Sequence, residues 1–117
     1  MGNTTETVLT HHLRCFGKGD VDGIMADYAA DARIFTPDGL VRGSAAIRAF
    51  FAKVFEEFVK PGLDFHMLKQ EVDGDTAYIV WRGDTPASRI ELATDTFIVK
   101  DGRIVTQTFA AKISPRQ

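Results

Sequence analysis

Apolar residues in the first half of the chain recur at the spacing of an amphipathic helix. Between residues 8 and 16 they fall on one arc, which predicts a first helix capped by Asn3 and ended by Gly17-Lys18-Gly19. Asp20 then caps a short second helix. That second helix is predicted to carry Val21, Ile24, Met25 and Tyr28.

A third helix is predicted after Ser44, which acts as its cap. Its apolar positions follow the i, i+3, i+4, i+7 rule as far as Pro61-Gly62. They are Ile47, Phe50, Phe51, Val54, Phe55 and Phe58. Between the second and third helices, residues 32–36 alternate briefly as a strand and end at the turn Thr36-Pro37-Asp38-Gly39.

In the second half the period changes from helical to alternating. Extended segments are predicted near residues 63–72, 76–83, 89–99 and 103–113, with hairpin turns at Asp73-Gly74 and Asp101-Gly102. The order is helix, helix, strand, helix and then an antiparallel meander. This order predicts an α+β domain whose helices lie on one face of the sheet.

The composition narrows the class of protein. The 117 residues are 44% hydrophobic, which favours one folded domain over residues 1–117. Fourteen basic and 16 acidic residues form no basic stripe, so neither nucleic acid nor an anionic membrane is expected as a partner. No signal-like segment is evident, and Cys15 has no second cysteine to pair with. We therefore expect a cytoplasmic protein.

His12 is the first candidate for chemistry, because it lies at the centre of the apolar arc of the first helix. Two interpretations are open: a core histidine bonded to a backbone carbonyl, or a side chain that opens onto a cavity. His11 lies at the edge of the arc and is expected at the surface.

Asp95 is the second candidate. On a strand it shares one face with Ala93, Phe97 and Val99, while Thr94 and Thr96 point the other way. If the odd face is covered by helices, burial raises the pKa of this carboxyl towards neutrality, where it can act as an acid or base. Periodicity does not decide which face is covered.

Other residues favour structural roles. Trp81 shares a face with Ala77 and Ile79 and either fills the core or lines a cavity. Asp38 belongs to a turn, and His66 is expected to be structural or exposed. No metal-ligand spacing and no glycine-rich phosphate loop is present, so neither a metal nor a cofactor is expected. Cys15 has no activating neighbour in sequence except Arg14.

Several runs of residues resemble the nuclear-transport-factor-2-like superfamily, and its SnoaL-like and ketosteroid-isomerase-like branch in particular. The runs cover most of the chain in the family's order. They are residues 19–24, 28–32, 42–51, 72–77, 95–97 and 101–105. The resemblance implies a cone, in which a curved antiparallel sheet wraps over three helices and leaves an apolar pocket at its open end. It also implies a homodimer through the outer sheet face, for which Ile90, Leu92, Ile98 and Ile104 are candidates.

The same resemblance implies roles for individual residues. Asp95 matches the aspartic acid that ketosteroid isomerases hold in their pocket, and His12 matches a tyrosine of their first helix. Thr36 matches the position of their general base. Since threonine cannot abstract a carbon-bound proton at neutral pH, steroid isomerisation is not expected.

The apolar composition and the resemblance together predict a pocket for an apolar or aromatic small molecule, and the resemblance implies cofactor-free acid–base chemistry on a carbonyl compound. The alternative is a non-catalytic ligand-binding or dimerisation module. Asp95 and His12 are the candidate catalytic residues. The candidate substrate-binding residues are Tyr28, Phe35, Phe51, Phe55, Trp81 and Phe97.

Overall fold

Three helices and a six-stranded sheet make up the fold in a computed structural model that describes residues 4–116. The helices are α1 (Thr5–Lys18), α2 (Val21–Met25) and α3 (Ser44–Val54), and a π-helical turn (Phe55–Val59) extends α3. The strands are β1 (Tyr28–Thr36), β2 (Gly39–Arg42), β3 (Asp64–Asp73), β4 (Thr76–Asp84), β5 (Ser88–Lys100) and β6 (Arg103–Pro115). The predicted α+β class, with a curved sheet over three helices, is confirmed.

Local signals account for the ends of the first two helices. The Thr4 hydroxyl accepts a hydrogen bond from the Thr7 backbone N–H at 3.1 Å and caps α1, whereas the predicted cap, Asn3, lies outside the described residues. Gly19 ends α1 in the left-handed conformation, with φ of 66°. Asp20 caps α2 as predicted, because its carboxylate accepts from the Gly23 N–H at 2.9 Å.

Two of the predicted helix boundaries are wrong. Tyr28 begins β1 instead of continuing α2, because the Asp27 carbonyl already accepts from the Ile104 N–H of β6 at 2.7 Å and draws the chain into the sheet. Ser44 is the first residue of α3, and Gly43 occupies the N-cap position. The Ser44 hydroxyl points back and donates to the Ala30 carbonyl at 3.4 Å.

The strand order of the sheet is β2-β1-β6-β5-β4-β3. The meander from β3 to β6 is antiparallel, as predicted, and β1 and β2 form the hairpin at Pro37-Asp38. The parallel pairing of β1 with β6, which sets Ile34 opposite Gln107, was not predicted. Nor was β2, whose four residues are too few to show a period.

The alternation of β5, with one bulge, sets which of its residues face the helices. Ala93, Asp95, Phe97 and Val99 point inward, and the extra residue between Ile90 and Leu92 turns Ile90 inward as well. Ile104 of β6 is buried as well. Ile90 and Ile104, expected on the outer face, are 4% and 1% exposed, so their prediction as dimer candidates is wrong. Leu92 is exposed and Ile98 is half-buried.

The core lies between the helices and the inner face of the sheet. Its fully buried side chains include Leu9, Ile34, Ile47, Phe55 and Phe97. Within residues 4–116, every helix is too short or too polar to cross a bilayer.

Candidate functional site

A cavity of about 410 Å³ lies between the helices and the inner face of the sheet. Its volume is in the range of small-molecule sites. Apolar and aromatic side chains from α1, α3 and strands β3 to β6 form most of its wall. Three buried polar side chains, His12, Asp95 and Gln107, also line it, so the cavity combines an apolar wall with a few polar groups.

The Asp95 carboxylate is 7% exposed and bound on both oxygens. Trp81 donates its indole N–H to one oxygen and Gln107 donates its amide N–H to the other, each at 2.9 Å. Burial raises the pKa of Asp95 to about 6, although these two hydrogen bonds act in the opposite direction. Both protonation states of Asp95 are therefore accessible near neutral pH.

Gln107 links Asp95 to a second buried side chain, that of Tyr28. The sequence does not predict Gln107 as a site residue. Its carbonyl oxygen accepts a hydrogen bond from the Tyr28 hydroxyl while its N–H group serves Asp95. Gln107 reaches the cavity because β6 lies between β1 and β5, a pairing that no local sequence pattern indicates.

His12 is 3% exposed and surrounded by aromatic rings. The ring centroids of Phe97, Tyr28 and Phe51 lie 4.9, 5.9 and 6.0 Å from that of the imidazole. Burial lowers the pKa of His12 to about 3, with a smaller contribution from His11, so the ring is neutral. Its Nδ1 atom is buried with no hydrogen-bond partner among the described residues, so the backbone-bonded interpretation of this histidine does not hold.

The structure divides the predicted substrate-binding residues into three groups. Phe51, Trp81 and Phe97 line the cavity, as do His12 and Asp95. Tyr28 and Phe55 are buried but belong to the core behind the wall. Phe35 is 41% exposed on the outer sheet face, where it packs under the Arg33 guanidinium, so its prediction as a lining residue is wrong.

The rim of the cavity carries charge. Asp38, Lys53 and Glu57 line its outer part and are exposed. Thr36 also lines it, but its hydroxyl is engaged in the β1–β2 turn, donating to the Gly39 carbonyl at 2.9 Å and accepting from the Asp38 N–H at 3.1 Å. No carboxylate occupies the Thr36 position, so a base at this side of the cavity would have to come from the exposed turn.

A second cluster of titratable groups lies on the other side of α1. His11 donates from Nδ1 to both carboxylate oxygens of the buried Asp27, at 2.8 and 2.9 Å. Its Nε2 atom lies 3.6 Å from the Cys15 sulfur, so Cys15 does have a histidine neighbour and His11 is not merely a surface residue. Burial and nearby carboxylates raise the pKa of the Cys15 thiol, which keeps it protonated.

Among residues 4–116, no three His, Cys, Asp or Glu side chains come together in a way that would hold a metal ion.

Comparison with known families gives one match over most of the chain. Residues 9–107 match the profile of the SnoaL-like domain. No curated protein matches the sequence.

Several solved structures share the fold of this chain. A candidate ketosteroid isomerase from Kribbella flavida is 16% identical, with 100% of this chain and 85% of that chain covered and a TM-score of 0.78. The epoxide hydrolase/cyclase-like enzyme SalBIII, which has a role in pyran ring formation in salinomycin, is 19% identical, with 96% and 95% covered and a TM-score of 0.77. A candidate polyketide cyclase from Sinorhizobium meliloti is 22% identical, with 87% and 92% covered and a TM-score of 0.74. At these identities the likeness shows the fold alone.

Proposed function

Since the chain belongs to the SnoaL-like domain family, we propose that its cavity binds an apolar or aromatic carbonyl compound and moves a proton on it without a cofactor. The observation that carries this proposal is that a buried Asp95 and a neutral, buried His12 line the same largely apolar cavity. The reaction class is isomerisation, cyclisation or dehydration. Asp95 is the acid–base group.

The apolar wall supports the substrate class. The rings of Phe51, Trp81 and Phe97 favour a ligand whose body is apolar or aromatic. A charged ligand body would lose its hydration there without gaining a partner, since the polar groups inside are few. The cavity therefore selects a neutral molecule with one or two polar atoms.

The two polar side chains have complementary roles in the proposal. The ligand carbonyl accepts a hydrogen bond from the N–H of neutral His12, which stabilises negative charge as it develops on the oxygen. A proton on Nε2 avoids an unsatisfied N–H at the buried Nδ1 atom. The Asp95 carboxylate takes a proton from the carbon next to the carbonyl and returns it at another position, so the protein ends the cycle unchanged.

A specific observation favours the alternative of a non-catalytic binding module. Both oxygens of Asp95 already accept hydrogen bonds, and the Thr36 hydroxyl is engaged within its own turn. In that case the same cavity holds a carbonyl compound without reaction, and Asp95 only organises the wall.

Exchange of deuterium into 2-tetralone, an apolar aromatic ketone, separates the two functions. Asp95→Asn is expected to slow the exchange by about 100-fold or more, because general acid–base groups contribute at least that much. The dissociation constant, read from the fluorescence of Trp81, the one tryptophan of the chain, is expected to change little. Nuclear magnetic resonance follows the exchange in D₂O.

Asp31→Asn is the matched control, since it neutralises an exposed carboxylate that does not line the cavity. Its exchange rate is expected to equal that of the wild type. Binding without any exchange by the wild type would establish the binding module. Exchange by Asp95→Asn at the wild-type rate would show that Asp95 is not the acid–base group.

We also propose that two copies of the chain associate through the outer sheet face. Across β4, β5 and β6 the side chains at the centre of this face carry no charge, and they define an uncharged patch. The patch consists of Tyr78, Val80, Thr94, Thr96, Thr108 and Ala110. Interface centres are depleted of charged residues in this way, which supports a second copy as the occupant.

A further inference from the structure

A second cavity of about 270 Å³ adjoins the main one and has no role in the proposed chemistry. Four side chains line both cavities: Leu13, Phe16, Leu63 and Phe65. We call the second cavity the rear chamber; Gly17, Val59 and Gly62 complete its lining. The two spaces are thus separated by apolar side chains.

Two side chains of this partition, those of Leu63 and Phe16, have close neighbours on the sheet and helix side. Leu63 packs closely over Gly83, where an added Cβ would lie only 2.8 Å from its Cδ1 atom. Phe16 is half-buried, and the ring centroids of Phe55, Trp81 and Phe65 lie 5.6, 6.1 and 6.5 Å from its own. Because the partition consists of side chains, a change in their rotamers would open it without a change in the backbone.

We propose that the main cavity and the rear chamber form one site for an elongated apolar carbonyl compound. Its carbonyl end lies at His12 and Asp95, and its tail passes Phe16 into the rear chamber. This inference rests on the proposed function and adds the shape of the ligand to it. An apolar tail can contact the five side chains of the rear chamber, which are all aliphatic or aromatic, while the polar atoms of its lining belong to the backbone.

Gly17 is an exposed glycine at the point where the last turn of α1 borders the rear chamber. It lies within α1, where glycine is less favourable than alanine, and its φ is not positive. A Cβ added there would meet no atom within 4 Å, so close packing does not require the glycine either. The absence of a side chain at this position leaves the rear chamber open.

Chain-length dependence tests the inference. The probes are 2-hexanone, 2-octanone, 2-decanone and 2-dodecanone, with binding read from Trp81 fluorescence. In the wild type, affinity is expected to rise about fourfold for each methylene that leaves water, up to 2-dodecanone. In Gly17→Leu, which fills the rear chamber, the rise is expected to stop earlier, and 2-dodecanone to bind at least tenfold more weakly.

Lys18→Leu is the matched control, because it introduces the same side chain one position later, at a residue that lines neither cavity. It is expected to keep the full rise. Val59→Phe fills the chamber from the opposite side. If Gly17→Leu does not fold, the affinities of the ketone series are measured on Val59→Phe instead.

The outcomes separate the inference from the function on which it rests. If 2-hexanone and 2-tetralone bind but longer ketones gain nothing in the wild type, the single elongated site is wrong and the proposed function stands. The same conclusion follows if both filling variants bind 2-dodecanone as tightly as the wild type. If no ketone binds the wild type at all, both the proposed function and the single elongated site are wrong.

Discussion

Asp95 and His12 line the same cavity, and burial moves their pKa values in opposite directions. In each case the buried environment disfavours the charged form, so the pKa of Asp95 rises to about 6 and that of His12 falls to about 3. At neutral pH the cavity therefore contains an ionisable carboxyl and an imidazole that stays neutral. The same shifts make the stability of the fold depend on pH at each residue.

For Asp95 the folded-state pKa lies above that of the unfolded chain. Between about pH 4 and 6 the folded state binds more protons, so stability contributed by the protonated form is lost as pH rises through this window. The buried charge then costs up to about 3 kcal/mol at pH 7. Asp95→Asn removes this cost, and Gln107 can rotate its amide to accept from the new N–H group.

Urea unfolding from pH 4 to 7 measures the effect. The free energy of unfolding of Asp95→Asn, relative to the wild type, is expected to increase with pH across this range. Parallel curves for the two proteins would mean that Asp95 titrates at its ordinary value.

For His12 the sign is reversed. Its folded-state pKa of about 3 lies below the unfolded value, so between about pH 3 and 6.5 the unfolded chain binds more protons. Stability from the neutral ring is thus lost as pH falls through this window. His12→Phe is expected to flatten the acid side of the stability curve, as measured by thermal unfolding against pH. Tyr78→Phe, on the outer face, should leave that side unchanged.

At the scale of elements, α2 depends on close contacts because five residues are too few to form a stable helix alone. Asp20 caps it, and Gly23 lets it approach α1. A Cβ at Gly23 would lie 2.4 Å from the Asp20 carboxylate and 2.8 Å from the Cys15 sulfur. Asp27, just beyond α2, ties this region to α1 through His11.

Two glycines in neighbouring helices are therefore expected to respond oppositely to the same substitution. Gly23→Ala should lower the free energy of unfolding by about 1–3 kcal/mol, because the new methyl group displaces the cap or the thiol. Gly17→Ala, which meets no atom within 4 Å, should raise it by about 0.5–1 kcal/mol. Chemical denaturation of both variants checks this, and a loss at Gly17 would contradict it.

Local patterns in the sequence predict the elements that local signals control. Asp73-Gly74 and Asp101-Gly102 mark the hairpins, and the apolar arc places His12 on the inner side of α1. Periodicity predicts Tyr28 in a helix, whereas in the structure it pairs with Ile104 of the distant strand β6. Which face Asp95 occupies depends on helices that only the folded chain brings over it.

In the candidate site, too, sequence patterns do not predict contacts between distant segments. Gln107 completes the hydrogen bonding of Asp95 from β6, and His11 meets Asp27 from α1, yet neither contact follows from sequence spacing. Phe35 was expected to line the cavity because it is aromatic. The alternation of β1 sends it to the outer face, next to Arg33.

At the scale of the whole molecule, the proposed dimer depends on the uncharged patch of the outer sheet face. Thr96 lies near its centre, between Tyr78 of β4 and Thr108 of β6. In a dimer through this face, a charge at Thr96 would be removed from water without a partner. The helices and both cavities lie on the other side of the sheet, so such a charge acts on assembly alone.

Thr96→Arg is expected to convert a dimer, of twice the 12.9 kDa chain mass, into a monomer. Sedimentation equilibrium measures the mass. Thr10→Arg, on the exposed side of α1, is the matched control and should remain dimeric. A monomeric wild type at 100 µM would contradict the proposed dimer.

The parallel pairing of β1 with β6 has a consequence for folding. It joins residues 28–36 to residues 104–108, so the β1–β2 hairpin has no neighbour in the sheet until almost the whole chain has been synthesised. Contacts between residues so distant in sequence form late, because a long loop must be closed first. The same pairing brings Gln107 beside Asp95 and Tyr28. During synthesis on the ribosome, ligand binding should therefore appear in one step after β6 emerges, with no weaker binding by shorter nascent chains.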